Sequence, residues 1–305
     1  MDRVPLEIWQ YIFSLACMDS GETGHALSLA SHAFRWALQT TTLQSVSLQG
    51  RQQIIQFAAF FKQRTPSLRR IRYLHIRSSQ NQPHTEREYE AVACILALAG
   101  PSLRIVTLDL ASQYGHPYRS DMSVGLPPSS FPSHLTELVL HGARLPPDTV
   151  LPSLTHLSVS RIPLVNDPRV AVTPLPRWGE VSCDMRFPGD LVDLVQRIAR
   201  LAPHLTHLRV LGYSPVQRNF REDVLDVLPG TLRQFQLEMC YEPCPPQLKV
   251  KPRSRLEIMK ENWAAFAVIA CERQGLVMLG ESDGRESRAE WLDSVHGDAG
   301  AWYEN

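Results

Sequence analysis

At 305 residues, 44% hydrophobic and 20% charged, the chain has the composition of one large or two ordinary globular domains, which excludes an intrinsically disordered protein. Thirty-one lysines and arginines balance thirty-one aspartates and glutamates, so no net field draws it to nucleic acid or to an anionic membrane, and neither is expected as a partner. No window reaches the roughly eighteen apolar residues of a membrane span and no basic-then-apolar leader opens the sequence, so a cytoplasmic or nuclear protein is expected, its six cysteines free thiols.

The first segment carries more apolar surface than it can hide alone. Pro5 suits a first helical turn, because it lacks an N–H that would go unpaired there. Beyond it Ile8, Ile12 and Leu15 recur at i, i+4 and i+7, while Leu6, Trp9 and Phe13 line an adjacent face. A stripe that wide implies two packing partners. Ser20 to Gly24 reads as a loop by composition and Ala26 to Ala30 as a short second helix; Ser31 is placed to cap a third, carrying Phe34, Ala37 and Leu38. Three short helices over residues 1–42 bury too little surface to be stable alone, since a domain below about forty residues needs a staple or a partner.

The run Val4-Pro5-Leu6-Glu7-Ile8-Trp9, then Ile12-Phe13 and Leu15-Ala16, then Leu27, Leu29-Ala30-Ser31 and Phe34-Arg35, resembles an F-box. The insert Asp19-Ser20-Gly21-Glu22-Thr23-Gly24 resembles that of fungal F-box-like proteins. Three positions depart from the family pattern: Val4-Pro5 replaces the usual Leu-Pro, Ala30-Ser31-His32 the usual Val-Ser-Lys, and Phe34 a common tryptophan. The resemblance implies a Skp-family adaptor docked on Val4, Pro5, Leu6, Ile8, Trp9, Ile12 and Leu29 and, through it, a cullin scaffold. The remainder of the chain would then select the protein to be ubiquitinated. The alternative is a helical cap that closes a repeat array.

A repeat follows. The frame L-x-x-L-x-L recurs as Leu43-Val46-Leu48, Ile71-Leu74-Ile76, Ile105-Leu108-Leu110, Leu135-Leu138-Leu140, Leu154-Leu157-Val159, Leu205-Leu208-Val210 and Leu232-Phe235-Leu237, with a degenerate Trp178-Val181-Cys183. Successive starts lie 28, 34, 30, 19, 24, 27 and 27 residues apart, mostly near a leucine-rich period. Helical patterns fill several intervals, at Gln53 to Arg64, Glu86 to Ala99, Asp190 to Leu201 and Glu222 to Leu228. Proline pairs such as Pro127-Pro128 and Pro146-Pro147 break the shorter ones into loops. The expected fold is α/β: an N-terminal three-helix module over 1–42, a leucine-rich-repeat-like solenoid of parallel strands over 43–240, and a cap over 241–305. This resembles the divergent leucine-rich region found behind F-boxes; the alternative is an ordinary α/β domain with coincidental leucines.

Period-two alternation sends the frame residues into the core and the residues between them to the opposite face of the sheet. That face would carry Tyr73, His75, Arg77, Thr107, Asp109, Glu137, Val139, His141, His156, Ser158, Ser160, Glu180, Ser182, Asp184, His207, Arg209, Leu211, Gln234, Gln236 and Glu238. A client protein is expected there, above all on Tyr73, His75, Arg77, Asp109, Glu137, His141, His156, His207 and Arg209, since mixed charge suits a polar protein surface. The alternative is an open solvated face with no ligand.

Enzymatic constellations are thin. Cys240 and Cys244 are too widely spaced for a redox pair and lack the partners of a zinc site, and no Gly-x-Ser-x-Gly or phosphate loop precedes a helix. No metal, cofactor or catalytic residue is expected. From Lys62 to Arg77 six basic residues occur without an acid, a patch for an acidic client or phosphate, or simply a solvated face. Ser254 to Arg273 reads as a long helix and Leu276 to Leu279 as a final strand, followed by an acidic tail that ends in Trp302-Tyr303. The expected function is that of a non-catalytic substrate receptor in a Skp–cullin–F-box type ubiquitin ligase, the alternative an adaptor-independent leucine-rich-repeat scaffold.

Overall fold

The computed structural model describes residues 4–17, 19, 21–78, 85–110, 131–141, 150–160, 191–213, 227–239, 264 and 277–281. The chain divides into two compact units at the Leu157/Ser158 boundary.

The first unit opens with helices α1 (Leu6–Ala16), α2 (Glu22–Ala30) and α3 (His32–Ala37), followed by a 3-10 turn at Leu38–Thr40. Pro5 precedes α1 and its carbonyl accepts from Ile8 N and Trp9 N. Ser31 caps α3 as expected, its Oγ accepting from Phe34 N at 3.0 Å. The loop expected over Ser20 to Gly24 is shorter than its composition suggests, because α2 already begins at Glu22. Asp19 explains this: its carboxylate accepts from Gly21 N at 3.0 Å and Thr23 N at 2.8 Å, pairing donors that a helix start leaves orphaned. Gly21 takes φ +96°, and a Cβ there would meet Ser45 O at 3.4 Å.

Strands and helices then alternate through β1 (Ser45–Gln49), α4 (Arg51–Gln63), β2 (Tyr73–Arg77), α5 (Glu86–Ala99) and β3 (Ile105–Asp109), and the described strands β4 (Glu137–His141) and β5 (His156–Ser160) follow. β1, β2, β3 and β4 pair in parallel, each with the next in sequence. One hydrogen-bond pattern repeats at the starts of β2, β3, β4 and β5. Gln44 O accepts from both Arg72 N and Tyr73 N; Arg72 O accepts from Arg104 N and Ile105 N; Arg104 O accepts from Thr136 N and Glu137 N; Thr136 O accepts from Thr155 N and His156 N. A tight turn precedes each of these strands, with Leu103 N donating to Gly100 O, Leu135 N to Pro132 O and Leu154 N to Leu151 O.

The register corrects one frame. Tyr73 pairs with Ile105 and Leu74 with Val106, so the third unit runs Leu103-Val106-Leu108, two residues earlier than Ile105-Leu108-Leu110. The segment Leu103-Arg104-Ile105-Val106-Thr107-Leu108-Asp109-Leu110 fits both frames; the turn at Gly100-Pro101 decides between them, since turn geometry fixes register. With that shift the starts Leu43, Ile71, Leu103 and Leu135 stand 28, 32 and 32 residues apart.

The core follows the alternation. Val46 and Leu48, Leu74 and Ile76, Val106 and Leu108, and Leu138 and Leu140 are all buried. So are Ile54, Ala58 and Phe61 of α4 and Val92, Ile95, Leu96 and Ala99 of α5, two helices that pack on each other. Each such aliphatic side chain contributes roughly 1.5–3 kcal/mol by leaving water. In the second unit α6 (Leu191–Leu201) precedes β6 (His207–Tyr213), β7 (Gln234–Met239) and β8 (Val277–Glu281), which also pair in parallel and in chain order. There Arg233 N and Gln234 N both donate to Thr206 O, the same step as in the first unit. The fold is therefore α/β and solenoid-like, with parallel strands in chain order. The degenerate Trp178-Val181-Cys183 frame, Cys240 and Cys244, nearly all of the helices expected at Glu222–Leu228 and Ser254–Arg273, and the tail beyond Glu281 lie outside the described residues.

One carboxylate is buried in this layer. Glu88, 1% exposed on α5, accepts from Ser78 Oγ after β2 and pairs with Arg51 Nε at the start of α4 at 3.3 Å. Glu88→Ala removes the carboxylate that both contacts share in a desolvated site and is expected to cost about 3 kcal/mol of stability in urea denaturation. Glu88→Gln, which still accepts from Ser78, is expected to cost about 1 kcal/mol. Equal losses for the two would show that shape, not charge, matters here.

Candidate protein-docking surfaces

Helix α1 carries the wide stripe read from the sequence, and its two halves go to different places. The inner half builds the module. Trp9, Phe13 and Phe34 form an aromatic triangle with ring centroids 5.6, 5.4 and 5.3 Å apart, the Phe13–Phe34 pair edge-on. Phe13, Cys17, Ala37 and Leu38 are buried, with Leu6, Trp9, Leu27 and Phe34 packed against them. The outer half stays open: Ile8 is 49% exposed and Leu15 55%, with Ile12 and Tyr11 on the same side. Leu29, at the end of α2, and Trp36 of α3 are exposed as well.

The expected adaptor set therefore divides. Val4, Pro5, Ile8, Ile12 and Leu29 are exposed, whereas Leu6 and Trp9 are half-buried against the module's own core. Tyr11, Leu15 and Trp36 belong with the exposed group; the i, i+4, i+7 spacing of Ile8, Ile12 and Leu15 is the signal for Leu15, and Tyr11 lies one turn from Ile8. The module leans on the array with its other side. Gln44 Nε2 donates to Ser14 O at 2.8 Å, and a Cβ at Gly24 would meet Cys17 Sγ at 3.4 Å and Thr42 O at 3.6 Å.

The sheet face differs from expectation. His75, Thr107, Val139, His141, Ser158, Arg209, Gln234 and Gln236 are buried, so the face is not the open surface that alternation suggested. Among the expected client residues this removes His75, His141 and Arg209 from solvent. Part of the cause is lateral. Strand neighbours stand about 4.8 Å apart, so Ser47, His75, Thr107 and Val139, which pair in one row, shield one another. Ser47 Oγ also lies 3.2 Å from His75 Nδ1. Tyr73, Arg77, Asp109, Glu137, His156 and His207 remain partly exposed. Arg77 and Asp109 face each other across β2 and β3 and form a salt bridge at 3.3 Å. His156 and His207 recur in the same context: Thr155 Oγ1 lies 2.9 Å from His156 Nδ1, and Thr206 Oγ1 lies 2.8 Å from His207 Nδ1. Burial, and then the nearby Arg233 guanidinium, lowers the His207 pKa and keeps the ring neutral at pH 7.

Among the described residues no group of three histidines, cysteines or acids is arranged to hold a metal, and no helix is long and apolar enough to cross a membrane. Cys17 and Cys94 are free thiols. No protein-family model matches the chain, and no curated protein matches it.

Two outcomes test the division of α1. Phe13→Ala is expected to cost about 3 kcal/mol in urea denaturation, while Ile8→Lys should stay within about 0.5 kcal/mol of wild type. A comparable loss for Ile8→Lys would mean that the outer face is not open in solution. The second outcome concerns pH. Burial, and then Asp19, pushes the Cys17 thiol from 9.0 up to about 11. The unfolded thiol loses its proton first, so its contribution to stability is complete below pH 9 and is lost as pH rises towards 11. Wild type should therefore lose stability above pH 9 more steeply than Cys17→Ala; parallel curves would place the thiol in water.

Proposed function

We propose that the chain is the substrate-recognition subunit of a Skp–cullin–F-box type ubiquitin ligase. Its N-terminal helices would dock a Skp-family adaptor, and its repeat array, which we read as leucine-rich, would hold a client protein. The chain would not be a catalyst: it would raise the effective concentration of the client's lysines near the ligase. The observation that carries this reading is the open half of α1. An adaptor-independent scaffold with a helical cap predicts that Ile8, Ile12 and Leu15 close against the first repeat, yet all three are exposed while the module rests on Thr42 and Gln44 by another side. An apolar helix face left in water calls for a partner. The repeated strand-start hydrogen bonds and the buried leucine ladder support the leucine-rich reading.

Co-purification with a Skp-family adaptor tests it, comparing wild type with a Pro5→Ala, Ile8→Lys double variant. Wild type should bind, and the variant, still folded by circular dichroism, should lose about 2 kcal/mol of affinity, roughly thirtyfold. A wild-type chain that does not bind the adaptor would leave these helices as a cap and remove the receptor reading.

A further inference from the structure

In the first unit a cleft of about 800 Å3 lies where β2, β3 and β4 begin. Arg69, Arg70, Arg72, Arg104 and His134 line it, and among the described residues no aspartate or glutamate does. The arginine run read from the sequence and an arginine from the next repeat are thus brought to one place. Arg72 and Arg104 directly precede paired strands, so their backbones stand about 4.8 Å apart. Arg70, Arg72, Arg104 and His134 are exposed. Neither the Arg51–Glu88 nor the Arg77–Asp109 ion pair involves any of them.

Several other polar groups of the cleft are already committed. Arg69 donates through Nε to Arg64 O and through Nη2 to Lys62 O, both at 2.8 Å, which satisfies carbonyls left over at the end of α4 and fixes the arginine run against it. Ser102 Oγ donates to Ile71 O at 2.9 Å, and Thr136 Oγ1 to Arg104 O at 3.0 Å. The backbone N–H groups of Arg72, Arg104 and Thr136 are bound in the strand-start pattern. The permanently charged groups of the cleft that reach solvent are the guanidinium groups of Arg70, Arg72 and Arg104. Crowded like charges with no acid beside them repel, and an anion placed between them turns that repulsion into charge-assisted, bidentate hydrogen bonds.

We propose that this cleft binds an anionic segment of a protein partner, whose carboxylate or phosphoryl groups bridge Arg70, Arg72 and Arg104. A protein segment fits better than nucleic acid: no Phe, Tyr or Trp lines the cleft for base stacking, and the chain carries no net charge. The proposal rests on the receptor reading only in taking that partner to be the client.

Fluorescence anisotropy on the full chain, without adaptor, tests it. Three labelled peptides of equal length are compared: one rich in glutamate, one carrying phosphoserine, and one neutral. At least one anionic peptide should bind and the neutral one should not, with affinity falling as salt rises from about 50 to 300 mM. Which anionic peptide binds more tightly distinguishes carboxylate from phosphoryl recognition. Arg70→Glu, Arg72→Glu, Arg104→Glu together should weaken binding by about tenfold or more. Arg87→Glu, exposed on α5 and outside the cleft, should change it by less than about twofold. Should the triple variant misfold, Arg70→Gln with Arg104→Gln should give a smaller loss in the same direction. Failure of both anionic peptides to bind, binding that the cleft variants leave unchanged, or tighter binding of a single-stranded oligonucleotide would each overturn the proposal. Because no adaptor is present, a chain that fails adaptor co-purification yet binds peptide loses the receptor reading and keeps the cleft; the reverse result loses only the cleft.

Discussion

The carbonyl before each of β1 to β4, and again before β6, accepts two N–H groups from the chain arriving for the next strand, and the array depends on that step. Gln44, Arg72, Arg104 and Thr136 perform it in the first unit and Thr206 in the second. Once that carbonyl is taken, the following strand has one register, and period-two alternation decides which side chains enter the core. Leu74 and Ile76 must then lie level with Val106 and Leu108, and those with Leu138 and Leu140. Threonine strengthens the step where it occurs, since Thr136 Oγ1 and Thr155 Oγ1 donate to the same carbonyls as their own backbones. A slip of one residue would turn each apolar row to the other face, so each of these carbonyls, by accepting two N–H groups, holds the next strand in phase.

Gln44 joins this ladder to the helical module. Its carbonyl receives the start of β2, while its side-chain amide reaches back to Ser14 O near the end of α1. The small module, which has one buried aromatic cluster, is thereby tied to the first repeat at the point where the repeat pattern begins. The tie uses the C-terminal end of α1 and the tight approach of α2 at Gly21 and Gly24. It leaves the outer side of α1 unused. A helix that needed that side for its own stability would have been fastened differently.

The sequence carried the strands, the alternation and the two-sided character of α1, because each is a periodicity in apolar residues. Its ambiguities were of three kinds. Leu103 to Leu110 satisfies two frames, and only the Gly100-Pro101 turn separates them. The same signal recurs as Pro132-Ser133, Pro152-Ser153, Pro203-His204 and Pro229-Gly230 before later strands, so turn chemistry read together with leucines fixes the frame where leucines alone do not. The capping role of Asp19 is not legible in the sequence, because capping depends on where a carboxylate points, and composition does not encode that. The burial of His75, His141 and Arg209 was illegible for a deeper reason: alternation says which face a residue takes, not whether that face is open to water. The arginines of the cleft were visible as a basic run, but Arg104 lies 32 residues beyond Arg72, and only the paired strands bring it alongside.

These constraints shift where a partner can be read. In the middle of the sheet, side chains flanked by neighbours about 4.8 Å away are held in place and removed from water, so they specify the array more than they contact anything outside it. The strand starts behave differently. There the backbone donors are consumed by the bifurcated step and the hydroxyls fold back onto carbonyls, which leaves long cationic side chains as the groups that reach solvent. Arginine suits such a position, because its charge sits far from a backbone that must stay in register and its planar fork can meet an anion without moving the strand beneath it. Chemical variety is thus tolerated at the rim of the array and constrained at its centre, and the surface most free to specialise for a partner is the edge on which Arg72 and Arg104 stand side by side.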